Sequence, residues 1–394
     1  MPSLADALRE LYARIPLGMR LDLQPMQAGC ALHGHPERDF AAVHVAGTNG
    51  KGSVCAMVEA MARADGMRTG LYTSPHLCRF AERIRLDGEP LEDEALTEVL
   101  LLALGGSPPL SFFEAATMAA FLAFRRARVD VAIVEVGIGG RLDATNVIPP
   151  PRAAAITRIA LDHVDRLGGT LEAIAREKAG IAKPGMDLVL GAMPPGIRAV
   201  IERVAAEAGA TTTSIDPASP RRAVALAGDH QQGNARVAVA LAERLGISPS
   251  AIASGLASVR WPGRLERIGR FLLDAAHNPD GAASLARYVE SLGISPDDVS
   301  LVFGTLADKD WRPMLDLLAP LARRRIYVAP PASARSMVDP LELCRHRSGE
   351  VAEGVGEALD SASGGLVIVA GSIVLVGDAR ARLLSLPRDP PVAL

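Results

Sequence analysis

Several common signatures are missing from this 394-residue chain, and each absence removes a class of protein. The only cysteines are Cys30, Cys55, Cys78 and Cys344, with neither C-x-x-C spacing nor the pattern of a disulfide framework. The N-terminus lacks the charged and apolar blocks of a secretion signal, so the cytoplasm is the expected compartment. No apolar run approaches the roughly 20 residues of a membrane span. Even VDVAIVEVGIGG holds Asp130 and Glu135, and its β-branched content reads as a strand. With a net charge of −3, nothing draws the chain to nucleic acid or an anionic membrane, so neither is an expected partner. No repeat of fixed short period occurs, and the Pro- and Ala-rich stretches 149–152 and 329–335 read as loops. What is present is a soluble composition, 49% hydrophobic and 22% charged. The chain is longer than one core usually encloses, so two domains are expected.

From residue 41 to about 190, short apolar runs alternate with helical patterns: AAVHV, a helix over 54–64, TGLYT, a helix over 112–128, VDVAIVEVG, AAAITRI, a helix over 170–179, and DLVLG. This alternation predicts a mostly parallel sheet covered by helices. The rhythm restarts near residue 270 with FLLDA, VSLVFG, RIYVA and GLVIVAG, again separated by helical patterns. Between the blocks, Pro262-Gly263 interrupts any regular element. The expected domains are therefore 1–262 and 263–394.

The most informative run is HVAGTNGKGS, His44 to Ser53, which follows the first apolar strand. Glycines let the backbone curl with its N–H groups inward, Lys51 supplies fixed positive charge, and the Ser53 hydroxyl can reach magnesium. This is a cradle for a nucleoside triphosphate. It departs from G-x-x-x-x-G-K-[ST], because Gly52 separates Lys51 from Ser53 and Val45 stands where the first glycine would be.

Three polar residues follow separate predicted strands: Ser74 in TSPHL, Glu135 at the end of VDVAIVE, and His163 in LDHVD. Ligands gather where the strands of such sheets end. Magnesium takes oxygen ligands and bridges carboxylate to phosphate, which makes Glu135 the natural anion. Imidazole suits softer metals, so on sequence alone His163 reads more readily as a hydrogen-bonded loop or core residue than as a ligand. The loop GRLDATNV, 140–147, either lines the site or is an ordinary turn. In the second block DAAHNPDG, 274–281, places an acid and a histidine before a Pro-started helix that Asn278 can cap.

Taken together, HVAGTNGKGS, LYTSPHL, FFEAATMAAFLAF, VEVGIGGRLDATNV, ITRIALDHVDRLGGTLEAIAREKAGIAKPG, WPGRLE, DAAHNP, FGTLADKD and VIVAGSIVLVGDAR resemble the folylpolyglutamate synthase/dihydrofolate synthase family of Mur ligases. The resemblance runs in order through nearly the whole chain. It implies an N-terminal P-loop ATPase domain of Mur-ligase type and a smaller, Rossmann-like C-terminal α/β domain, with ATP in the cleft between them. The implied reaction is ATP-dependent: a carboxylate takes the γ-phosphoryl group, and the amine of L-glutamate attacks the acyl phosphate. Dihydropteroate and folates are the implied acceptors, and a monomer the implied state.

By this resemblance Gly47, Asn49, Gly50, Lys51, Gly52 and Ser53 hold the triphosphate, and Ser74, Glu135 and His163 ligate magnesium, of which two ions are implied. Lys178 in REKAG matches a lysine that the family carbamylates. Asn234, Arg264, Asp274 and His277 match nucleotide contacts. Phe80, Phe113 and Leu142, Asp143 and Ala144 are candidate walls for a flat pterin, although Phe113 reads equally as core. Departures from the family pattern occur at residues 18–23, at Ala81 and at Arg158, on the pterin side and at the edge of the metal site. A monofunctional enzyme, a ligase with another acceptor such as a cell-wall precursor, and a P-loop switch that hydrolyses ATP remain alternatives.

Overall fold

The structure, a computed structural model, describes residues 2–18, 22–331 and 336–389. It divides into two compact units. One comprises Met1–Ser74, Ala81–Ala225 and Gln231–Val259, and the other Pro75–Phe80, Leu226–His230 and Arg260–Leu394.

The first unit is built on an eight-stranded sheet. Its strands are β1 (Ala41–Ala46), β2 (Thr69–Tyr72), β3 (Ile84–Leu86), β4 (Glu89–Pro90), β5 (Val131–Glu135), β6 (Ala153–Ile156), β7 (Asp187–Leu190) and β8 (Thr211–Ser214). They run in the order β4-β3-β2-β5-β1-β6-β7-β8. All pairs are parallel except β2–β3 and β3–β4. Helices cover both faces of such a sheet, so its central strands are apolar along their whole length. Val43, Val45, Ile133, Val134, Ala154 and Ile156 accordingly have no exposed surface.

Register decides where the loops emerge. Val45 pairs with Glu135 and Ala46 with Ile156, so β1, β5 and β6 finish at one level. Tyr72 pairs with Val134, which brings the end of β2 to the same edge. The four loops that begin at Gly47, Thr73, Val136 and Thr157 therefore share one rim.

Close packing of helices on this sheet depends on small residues. Helix Phe112–Ala127 opens on a capping box between Ser111 and Glu114. It lies so near β2 that a Cβ on Gly70 would come within 2.5 Å of the Phe124 ring. The helix expected over 54–64 starts earlier, at Lys51, because Gly50 takes a left-handed conformation and turns the chain into it.

The second unit has a six-stranded sheet, β9 (Glu266–Ile268), β10 (Phe271–Asp274), β11 (Val299–Phe303), β12 (Arg324–Tyr327), β13 (Glu350–Val351) and β14 (Leu366–Ala370). The order is β13-β12-β11-β14-β10-β9, and only β9 is antiparallel. Leu272, Leu301, Phe303 and Ile368 face one buried layer, and Leu273, Val302, Val367 and Val369 the other. Both units are thus α/β with mostly parallel sheets, as the alternation of elements predicts.

Gly70→Ala should lower the urea midpoint of unfolding through an overpacking cost of about 1–3 kcal/mol. An unchanged midpoint by circular dichroism would mean that the Phe124 ring moves aside without cost.

Candidate active site

The loop after β1 is held open by backbone geometry and by its neighbours. Gly47 has φ +143°, and a Cβ there would lie 1.8 Å from Thr157 Oγ1. Gly50 has φ +92°, and a Cβ there would lie 2.4 Å from Asn234 Oδ1. The loop is stitched to the segment after β6. Thr48 N–H donates to Arg158 O at 2.7 Å, and Thr48 Oγ1 donates to Ala160 O at 3.0 Å. Thr157 Oγ1 donates to Asn49 O at 2.8 Å. Only the backbone of the exposed Arg158 takes part in these bonds, so the departure at this position leaves the stitching intact.

No side chain caps helix Lys51–Ala64, which leaves its first-turn N–H groups for an anion. Gly52 and Ser53 lie in that turn. Ser53 is buried, and its Oγ accepts from Gln231 Nε2 at 3.3 Å. Gln231 Oε1 in turn accepts from Asn234 Nδ2 at 2.9 Å. Gln231 was missed in the sequence, although it lies three residues before Asn234 and shares its helix face.

Lys51, Ser74 and Glu135 converge beside this loop. Lys51 Nζ donates to Thr48 O at 3.2 Å and lies 3.9 Å from Glu135 Oε1. Ser74 N–H donates to Glu135 Oε2 at 3.1 Å. Glu135 is only 5% exposed, so Lys51 and the Ser74 N–H dipole compensate its buried charge. His163 follows the stitched loop, with φ +51° and a half-buried ring 3.9 Å from Asp162.

Among the described residues, no three His, Cys, Asp or Glu side chains form a nest of metal ligands. The Glu135 carboxylate beside Ser74 and the loop is a donor set that fits magnesium, which binds one or two carboxylates plus substrate phosphates and retains water. A softer ion would call for a protein cage of nitrogen and sulfur.

Lys178 lies in helix Leu171–Ala179 and is 4% exposed. Burial, aided by the nearby charge of Lys51, pushes its amine down to about 7, against the pull of Asp162 and Asp143.

The candidate pterin walls divide into two groups. Phe113 and Leu142 are half-buried, and a Cβ on Gly137 would come within 2.3 Å of the Phe113 ring. Phe80, Asp143 and Ala144 are buried, so their side chains offer no open surface to a flat ring. The Asp143 carboxylate turns into its own loop. It accepts from Ile138 N–H at 2.9 Å, Thr145 N–H at 3.0 Å and Thr145 Oγ1 at 2.5 Å. Of residues 18–23, residues 19–21 lie outside the described residues.

In the second unit the end of β10 holds a compact cluster. Asp274 is buried and accepts from Leu265 N–H and Ala276 N–H, both at 2.9 Å. Burial pushes its carboxyl up, opposed by the charge of Arg264. Burial pushes His230 down, opposed by the charge of Asp274. The half-buried His277 shares a 2.9 Å hydrogen bond with Ala275 O. Asn278 caps helix Pro279–Ser291.

Residues 45–242 match the Mur ligase middle domain, and 263–376 match the Mur ligase glutamate ligase domain. The folylpolyglutamate synthase of Lacticaseibacillus casei is 34% identical over 89% of this chain and 92% of its own length. The dihydrofolate synthase/folylpolyglutamate synthase of Bacillus subtilis is also 34% identical, over 96% and 98%. The chain belongs to the folylpolyglutamate synthase/dihydrofolate synthase family of Mur ligases. A solved Yersinia pestis relative, a bifunctional folylpolyglutamate synthase/dihydrofolate synthase complexed with AMPPNP and a manganese ion, superposes with a TM-score of 0.86. It is 32% identical and covers 98% of each chain. The protein is thus an ATP-dependent ligase.

Gly50→Ala combines left-handed strain with crowding against Asn234, so ADP affinity should fall about tenfold, equivalent to about 1.4 kcal/mol. Titration calorimetry checks this, and unchanged affinity would remove the loop from the nucleotide site.

Proposed function

We propose that this ligase joins L-glutamate to dihydropteroate and extends reduced folates with further glutamates. The observation that carries this reading is the convergence of Lys51, Glu135 and Ser74 on a glycine-built loop within a chain of this family. In the proposed reaction a carboxylate oxygen of the acceptor attacks the γ-phosphorus of ATP, and ADP leaves with the bond's electron pair. The free amine of glutamate then attacks the acyl carbon and loses a proton as phosphate departs.

Phosphoryl transfer depends on positioning and charge neutralisation more than on covalent help. Lys51 serves the β- and γ-phosphates, and the backbone of Gly47, Asn49, Gly50, Gly52 and Ser53 lines the cradle. Glu135, Ser74 and His163 hold magnesium, which when bound neutralises phosphate charge. Asn234, Arg264, Asp274 and His277 serve the nucleotide. Phe113 and Leu142, which keep open surface, flank the pterin.

The bifunctional reading extends beyond the names of the relatives, because those with single and dual names are equally similar to this chain, at 34% identity. Phosphate release should require glutamate and should occur with both dihydropteroate and tetrahydrofolate. Turnover with only one acceptor would make the enzyme monofunctional. Turnover with a muramyl nucleotide alone would discard the folate reading, and turnover without carboxylate or amine would indicate a switch.

We also propose that Lys178 carries a carbamate that assists a second magnesium ion. Its neutral amine attacks carbon dioxide, forming a C–N bond and releasing a proton, and the adjacent charge of Lys51 favours the resulting anion. Only the unprotonated amine reacts, so carbamylation should be lost as the pH falls below about 7. A carbamate signal in carbon-13 spectra with labelled bicarbonate, absent in Lys178→Ala, checks the modification. Its absence from the native enzyme at pH 8 would refute it.

A further inference from the structure

We infer that Asp389 is a positioning residue that holds the segment behind Ser74, an inference resting on the metal-binding role proposed for Ser74. Ser74 N–H is bonded to Glu135, and the next six residues, Pro75–Phe80, pack with the second unit. They belong to no helix or strand until the short 3-10 turn Phe80–Arg83 begins. Their course is therefore set by what they dock on.

That dock is helix Ile373–Leu384 and the residues after it. The Leu77 carbonyl oxygen lies so close to Gly377 that a Cβ there would approach it to 2.1 Å. Cys78 Sγ donates to Gly377 O at 3.4 Å. The helix ends where Ser385 adopts a left-handed φ of +52°, and Leu386 N–H bonds back to Ala381 O at 2.9 Å. This turn reverses the chain. Arg388 then pairs with the buried Asp378, which also takes Arg382 at 2.9 Å.

So anchored, Asp389 grips two backbone groups on either side of Arg79. Its N–H donates to Cys78 O at 3.0 Å, and its Oδ2 accepts from Phe80 N–H at 2.6 Å. Its other carboxylate oxygen lies 3.9 Å from Arg79 Nε. The Asp389 side chain is 13% exposed, so water competes weakly for these bonds. Residues fixed at 78 and 80 leave little freedom for Ser74, four residues earlier. The Ser74 hydroxyl thus takes its position from both directions, from Glu135 through its own N–H and from Asp389 through the docked segment.

The test compares Asp389→Ala, Asp389→Asn and Ser74→Ala, reading manganese binding in the presence of ADP and amide exchange of residues 75–80. Asp389→Ala should speed exchange and weaken manganese binding about tenfold, the scale expected when a ligand loses its support. Asp389→Asn keeps an acceptor for Phe80 N–H and should stay within about twofold of wild type. If Asp389→Ala unfolds, the Asn variant decides alone, and a tenfold loss there overturns the inference. Wild-type manganese binding by folded Asp389→Ala also overturns it. Manganese binding that is unchanged in Ser74→Ala refutes the role of Ser74 itself, a failure distinguishable from failure of the Asp389 clamp.

Discussion

The parallel register of β2, β5, β1 and β6 is the constraint on which the rest depends. Because Val45 sits opposite Glu135 and Ala46 opposite Ile156, the strands stop together and their loops interlock. A slip of one residue would turn every side chain of a strand to the other face. It would also part Thr48 from Arg158 and Ala160, the bonds that keep the glycine-built loop after β1 in shape. The apolar run of each strand thus does two jobs: it fills the core and sets the height at which polar residues leave it.

Electrostatics at the rim follows from that placement. Glu135 and Lys178 are nearly inaccessible to water, so a bare charge on either would be costly. Glu135 meets this with Lys51 and the Ser74 N–H. Lys178 meets it by giving up its proton near neutrality, because burial disfavours its charged form and Lys51 adds repulsion, against the pull of Asp162 and Asp143. The two lysines therefore differ: Lys51 lies against the Glu135 carboxylate, whereas buried Lys178 has an amine pushed down to about 7.

Nine of the strands and the glycine-spaced loop after β1 were legible because apolar, often β-branched runs and glycine spacing are local signals, whereas the short or polar β3, β4, β8, β9 and β13 were not. Helices Leu4–Tyr12, Asp93–Leu104, Pro195–Glu207 and His230–Arg244 went unassigned. In His230–Arg244, alanines and valines occupy several faces and blur the helical period, so Gln231 stayed hidden although its neighbour Asn234 was picked out. The direction of the Asp143 carboxylate was illegible for a different reason. An aspartate in a turn can face a ligand or cap its own backbone, and only the paths of Ile138 and Thr145 decide. The docking of Pro75–Phe80 was beyond reach as well, because its partners, Gly377 and Asp389, lie some three hundred residues away.

The loop after Glu135 is braced from inside the sheet by a chain of buried polar groups. Thr145 Oγ1 donates its one proton to Asp143, so toward His44 at 2.9 Å it can only accept. His44 must then carry its proton on Nε2, which leaves Nδ1 as the buried atom with no hydrogen-bond partner. Full burial pushes His44 down to about 3, so the ring is neutral around neutral pH. A neutral donor at the head of the chain adds no charge to the site, yet it fixes Thr145, which fixes Asp143. The Asp143 carboxylate in turn holds Ile138 N–H, three residues beyond Glu135. A partly unsatisfied buried network costs stability, and here that cost is tolerated at the place where a loop must hold its shape just beyond Glu135.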